Sequence, residues 1–168
     1  MPDTTLPDGF ERLDPRIIHV RQIAGLISSG VVAAIAIVVL LVITLVSRPS
    51  WLLIGVGGGA WLLATALLTW WLWTWPAKAY AYSSYRLDAD GLEIRRGVIW
   101  RGIINVPRSR VQHTDVSQGP IERSHGLSTL LIHTAGTDHA QVALPGLSRE
   151  NAFALRDQLL PRDGRDAV

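Results

Sequence analysis

The sequence predicts an α+β membrane protein, a two-helix transmembrane hairpin followed by a small antiparallel β-barrel or sandwich with a C-terminal capping helix. Three observations carry this. Two long uncharged apolar runs, residues 23–46 and 51–75, stand four residues apart. From Tyr85 onward the apolar period drops to two, in several short runs punctuated by glycine and proline. One amphipathic segment then follows Ser148.

Each apolar run is long enough to cross a bilayer alone, since about 20 helical residues span a hydrocarbon core of roughly 30 Å. A helix also satisfies its own backbone hydrogen bonds, which lipid requires. Apart from the tryptophans, and Thr74 among them at the end of the second run, the polar side chains inside are Ser28, Ser29, Thr44, Thr65 and Thr69. Such hydroxyls bond to their own helix. Transporters and channels place ionisable groups at depth or line a pore, so the hairpin reads as an anchor. Trp51 marks one boundary and Trp70, Trp71, Trp73 and Trp75 the other, as an interfacial belt does. Gly25, Ser29 and Ala33 line one face of the first helix, and Gly55 and Gly59 form G-x-x-x-G in the second. Small side chains let helices approach closely, either within the hairpin or between two copies. The first run is too long for a cleaved leader and is read as a signal anchor.

Residues 1–22 are polar and rich in turn formers (Pro2, Pro7, Gly9, Pro15), so the first dozen are expected to be disordered. Asp14 is placed as a helix N-cap, with Pro15 in the first turn. Arg12, Arg16 and Arg21 precede the hairpin and Lys78 and Arg86 follow it, whereas the connection holds only Arg48. That bias predicts both termini in the cytoplasm and the connection outside.

The 168 residues carry a net charge of +2 and no cysteine. Cysteine-based disulfides, thiolate metal sites and thiol nucleophiles are therefore excluded. So small a net charge gives no general case for nucleic-acid binding. Locally, Arg95, Arg96, Arg101, Arg108 and Arg110 form a stripe with no acid between them. Juxtamembrane arginines of this kind attract anionic headgroups, although they also suit a solvated strand face.

The β-domain is expected over residues 80–161, with a disordered tail at 162–168. Tyr85 to Leu87 leads into a turn at 88–91, where Gly91 supplies positive φ. Leu92 and Ile94 alternate with Glu93 and Arg95 as a half-buried strand does. Gly97 breaks the run, Val98-Ile99-Trp100 begins another strand, and Ile103, Ile104 and Val106 continue the β signal to Pro107. Further strands are expected at 111–116, 130–134 and 141–144, with loops at 118–126 and 135–138. Ser148 caps a final helix, Leu147 and Ala152 form a staple, and Ala152, Leu155 and Leu159 share an apolar face with Phe153 and Leu160 beside it. Pro161 ends it.

No catalytic constellation emerges. His19, His113, His125, His133 and His139 show no local metal-ligand spacing. Ser124 and Ser128 lack a nucleophile elbow, and no phosphate-loop motif is present. The chain is read as a non-enzyme with no cofactor, metal or catalytic residue.

Residues 85–98 (YRLDADGLEIRRGV), 106–116 (VPRSRVQHTDV) and 118–127 (QGPIERSHGL) resemble the bacterial pleckstrin-homology-like family, in its membrane-flanked, YdbS-like form. The sharpest motif is Gln118, Gly119, Arg123 and Gly126, and the Leu13-Asp14-Pro15-Arg16 lead-in and paired helices are similar too. The resemblance implies a seven-stranded bent sheet capped by the C-terminal helix, and a bacterial plasma (inner) membrane location. Phosphoinositide-binding relatives in eukaryotes use a basic first hairpin turn, whereas the turn at 88–91 is short and acidic. The resemblance therefore implies no inositol-phosphate site. Arg123, in a glycine-bounded turn, is expected to tie backbone carbonyls together.

The leading functional expectation is a membrane-anchored adaptor that presents the β-domain to a protein partner, a peptide or a second copy. The alternative is an anionic-lipid or small-ligand sensor that uses the arginine stripe.

Overall fold

A computed structural model describes residues 8–47, 49–135 and 141–159. Arg48, His139, Leu160, Pro161, most of the 135–138 loop and the expected tail lie outside the described residues. The chain divides into two units: residues 21–77, and a second unit that joins the chain up to Val20 with the chain from Lys78 onward.

The first unit consists of most of two helices, α1 (Arg16–Ser47) and α2 (Trp51–Ala81). Their windows of highest hydropathy average 3.0 and 1.8, and almost none of those residues is buried within the protein. These are membrane-spanning helices by length and composition. Four of the intramembrane hydroxyls bond backward along their own helices: Ser28 to Ala24 O at 2.8 Å, Ser29 to Leu26 O at 3.0 Å, Thr44 to Leu41 O at 2.7 Å and Thr69 to Thr65 O at 2.8 Å. Gln22 Nε2 donates across the hairpin to Trp73 O at 3.1 Å. Pro76 falls just before the boundary with the second unit, where its missing N–H removes one helical hydrogen bond.

The second unit holds seven strands in two sheets. β1 (Glu11–Arg12), β2 (Ser84–Leu87), β3 (Gly91–Arg96) and β4 (Gly102–Pro107) form the first, in that order and antiparallel. β5 (Val111–Ser117), β6 (Leu127–Thr134) and β7 (Gln141–Ser148) form the second. A short helix α3 (Pro120–Ser124) joins β5 to β6. The final helix α4 (Arg149–Leu159) packs across the second sheet. Leu92, Ile94 and Val106 of the first sheet meet Leu130, Ile132, Val142 and Leu144 of the second in one core, which Ala152, Leu155 and Leu159 of α4 close. Asn151 N donates to Ser148 Oγ at 3.2 Å, the expected cap.

The N-terminal segment departs most from expectation. Phe10 is 2% exposed and β1 follows it, so residues 10–12 are ordered. Leu13, ahead of α1, also belongs to the core, as do Ile17 and Val20, whose three-residue spacing puts them on one face of the helix. Asp14 caps the helix as expected, accepting from Arg16 N at 2.9 Å. Its own N–H donates to Gly146 O of β7 at 2.8 Å. Gly146 has φ +81°, and a Cβ there would press on Ile17 at 2.9 Å. The β-domain therefore begins before the hairpin, not at residue 80.

Smaller differences have local causes. Val98-Ile99-Trp100 does not begin a strand; it forms the tip of the β3–β4 hairpin, because Gly97 at φ +117° turns the chain. The 118–126 loop contains α3, which Pro120 in the first turn and Glu122 as a cap stabilise. β7 runs on to Ser148 through Pro145, which an edge strand tolerates.

Because Leu13 is core rather than lead-in, Leu13→Ala should cost about 2–4 kcal/mol and lower the melting midpoint of the detergent-solubilised protein by roughly 10 °C. A disordered lead-in would leave thermal unfolding unchanged.

Candidate functional site

The arginine stripe separates into two classes once its partners are known. Arg95 Nε donates to Glu93 Oε1 at 2.8 Å, and its guanidinium lies 3.9 Å from the centre of the Phe10 ring. Arg86 Nη2 bonds the other carboxylate oxygen of Glu93 at 2.9 Å and also approaches Phe10. The two arginines thus share one acid and cover one ring. Arg108 donates from Nη2 to Asp88 O at 3.0 Å, and from its backbone to Asp90 O at 3.1 Å, closing the acidic β2–β3 turn. Arg95 and Arg108 are therefore engaged in holding the fold. Arg96, Arg101 and Arg110 are exposed. Arg110 lies in a 3-10 turn before β5, and Arg96 and Arg101 flank the β3–β4 tip.

That tip concentrates the domain's exposed apolar surface. Among the described residues of the second unit, the exposed large apolar side chains are Tyr82 (48%), Ile99 (71%), Trp100 (89%) and Ile103 (61%). The register explains their common location. Ser84 pairs with Arg95, and Arg96 with Gly102, so residues 97–101 project from the end of the sheet at which the chain arrives from α2. Arg101 extends its guanidinium toward the Tyr82 ring, 5.7 Å from the centroid.

The family motif residues are structural in detail. Gln118 Nε2 donates to Leu127 O at 2.8 Å and to Ser128 Oγ at 2.9 Å. Gly119 N donates to Glu122 Oε2 at 2.8 Å, while Glu122 Oε1 accepts from Thr129 at 2.8 Å. Gly126 takes φ +68°. Arg123, by contrast, is exposed and makes no side-chain hydrogen bond among the described residues. The carbonyl tie expected of it comes from Arg16, whose Nη1 donates to His125 O at 3.1 Å. Sequence distance hides this bond, which spans 109 residues.

The structure adds His133 to His113 and Asp115, which already share a face of β5 at i, i+2. His113 of β5 and His133 of β6 are cross-strand partners, with rings stacked 4.0 Å apart and 11° from parallel. Asp115 Oδ2 lies 3.4 Å from His133 Nε2 and 3.8 Å from His113 Nε2. Two imidazoles and a carboxylate within 4.8 Å are a donor set for a divalent cation. Parallel rings aim their lone pairs side by side, so holding one ion requires at least one of them to turn. His125 bonds Ile121 O at 2.9 Å within its own turn.

A groove of about 640 Å³ opens where the N-terminal segment crosses the start of α4, lined in part by Arg12, Asp14, Arg16, Tyr85 and Arg149. Asp14 and Arg16 pair at 2.6 Å, and the bond to Arg16 holds the Asp14 carboxyl below the usual range despite partial burial. Burial, reinforced by donation to Glu11 Oε2 at 2.6 Å, pushes the Tyr85 hydroxyl far above its ordinary value.

Of the small residues in the helices, Gly25 faces Leu72 so closely that a Cβ would stand 3.1 Å from that side chain. Ser29 is buried and Ala33 half-buried. Gly55 and Gly59 have nothing within 4 Å of an added Cβ. The first face packs inside the hairpin; the second is open.

Two membrane-length helices inserted between the first and second strands of a seven-stranded, two-sheet domain, with a helix closing the second sheet, define a membrane-anchored PH-like protein. The chain belongs to the bacterial PH domain family, whose model matches residues 18–163. It is 30% identical over 148 residues to the UPF0699 transmembrane protein YdbS of Bacillus subtilis (strain 168), covering 88% of this chain and 89% of that one. No solved structure matches it significantly.

Two expectations follow. Glu122→Ala removes both the α3 cap and the tie to Thr129 and should lower the melting midpoint by several degrees, whereas Arg123→Ala should leave it unchanged; parallel thermal melts decide. Asp14 has a folded pKa below its unfolded value of about 3.9, so its contribution is present above that value and is lost as pH falls through the folded pKa. Acid melts should therefore show a stability slope below about pH 4 that Asp14→Asn reduces.

Proposed function

We propose that this protein is a non-enzymatic, membrane-anchored adaptor that presents its PH-like domain at the cytoplasmic face of the bacterial plasma membrane. There it binds a protein segment, or a second copy of itself, by strand addition. The observation that carries this reading is the free edge of β4. This six-residue strand ends the first sheet and pairs, among the described residues, only with β3. A strand edge offers unpaired N–H and C=O groups to an extended peptide, and alternate side-chain positions supply selectivity. Ile103 is exposed on that strand, while Pro107 closes its far end.

The cytoplasmic assignment is supported by Arg12, Arg16, Arg21, Lys78 and Arg86 flanking the hairpin against Arg48 alone in its connection. The non-enzymatic part is supported by the character of the site, a strand edge and an apolar tip rather than a cleft with a paired nucleophile and base.

A photo-crosslinking residue at Asn105, exposed on β4, should give a discrete adduct in intact membranes, either with another protein or with a second copy. The same residue at Asp157, exposed on α4, should not. Equal background from both positions overturns the strand-addition reading.

A further inference from the structure

We propose that the β3–β4 hairpin tip is a lipid-insertion element: Ile99 and Trp100 enter the interfacial layer of an anionic bilayer, and Arg96 and Arg101 hold headgroup phosphates beside them. The proposal goes beyond the adaptor reading and does not depend on a partner at β4.

The residues at this end of the sheet fit an interface rather than a water-exposed turn. Trp100 and Ile99 are among the most exposed apolar side chains of the domain, and Tyr82 stands at the same sheet end. Tryptophan and tyrosine favour headgroup depth, because a ring can be apolar on its face and polar at one edge. Arg96 and Arg101 bracket the tip on its two strands, and no acid occurs between Glu93 and Asp115. Arg95 is spent on Glu93 and Phe10 and Arg108 on the β2–β3 turn, while Arg110 is exposed beyond the far end of β4.

Chain geometry supplies the second argument. The apolar run of α2 ends at Trp75 and Tyr82 follows seven residues later, about 10 Å of helical rise. The register places the tip at the sheet end that Tyr82 and Ser84 enter, and the β2–β3 turn at the other. A sheet end tethered so close along the chain to a spanning helix meets the bilayer at high effective concentration, so a small apolar tip at that end suffices for contact. Gly97 is required for the projection: at φ +117° an added Cβ would collide with the Trp100 carbonyl.

The absence of cysteine makes the test direct. Full-length protein carrying Ile99→Cys is labelled with an environment-sensitive fluorophore and placed in nanodiscs of phosphatidylcholine alone or mixed with phosphatidylglycerol. Ala89→Cys, exposed at the opposite end of the sheet, is the control. The probe at 99 should emit to the blue of the control, resist iodide, and be quenched severalfold more by spin-labelled lipid. Quenching should be stronger with phosphatidylglycerol and weaker in the Arg96→Gln, Arg101→Gln background. Equal iodide access at 99 and 89 overturns the proposal. A blue-shifted, iodide-resistant probe that spin-labelled lipid does not quench assigns the tip to a protein contact and overturns it too. Quenching indifferent to phosphatidylglycerol and to both glutamines overturns the role given to the arginines.

Discussion

The β-domain depends on residues that precede the membrane hairpin. Phe10, Leu13, Ile17 and Val20 are buried, and the Asp14 N–H bond to Gly146 O fastens that segment to β7. Burial of apolar side chains supplies most of a small domain's stability, so these side chains cannot be removed without opening the core. The hairpin therefore leaves from and returns to one folded unit.

From that closure follows the division of labour among the charged groups. Glu93 ties together Arg86 and Arg95, which cover the Phe10 ring, and Arg16 reaches from the start of α1 to the turn after α3. Arginines suit these sites because a planar guanidinium both stacks on a ring and forks onto oxygen acceptors. Arg96 and Arg101, exposed beside Ile99 and Trp100, take no part in these ties.

Much of this was legible in the sequence. Two uncharged runs, period-two alternation around Leu92 and Ile94, the Gly91 turn and the Ser148 cap are local signals, and each marks its element. The N-terminal strand was not legible, because two residues amid prolines and glycines carry no period. Val98 to Trp100 read as a strand because β-branched and aromatic residues favour strands. The positive φ that Gly97 adopts is set by the hairpin and overrides that preference. At the site, composition revealed five arginines but not which were already bonded. The His113–His133 pairing required the β5–β6 register, which nineteen intervening residues conceal.

The pairing of Glu11 with Tyr85 also fixes an order of assembly. These residues lie 74 apart in the chain, and at about 5–20 residues per second roughly 4 to 15 seconds separate their synthesis. Asp14 waits longer still for Gly146. Through that interval Phe10 and Leu13 have no core to enter, while both apolar helices emerge. The hairpin can be taken up by the membrane before the β-domain exists, and the first strand is then the one that must find a sheet built after it.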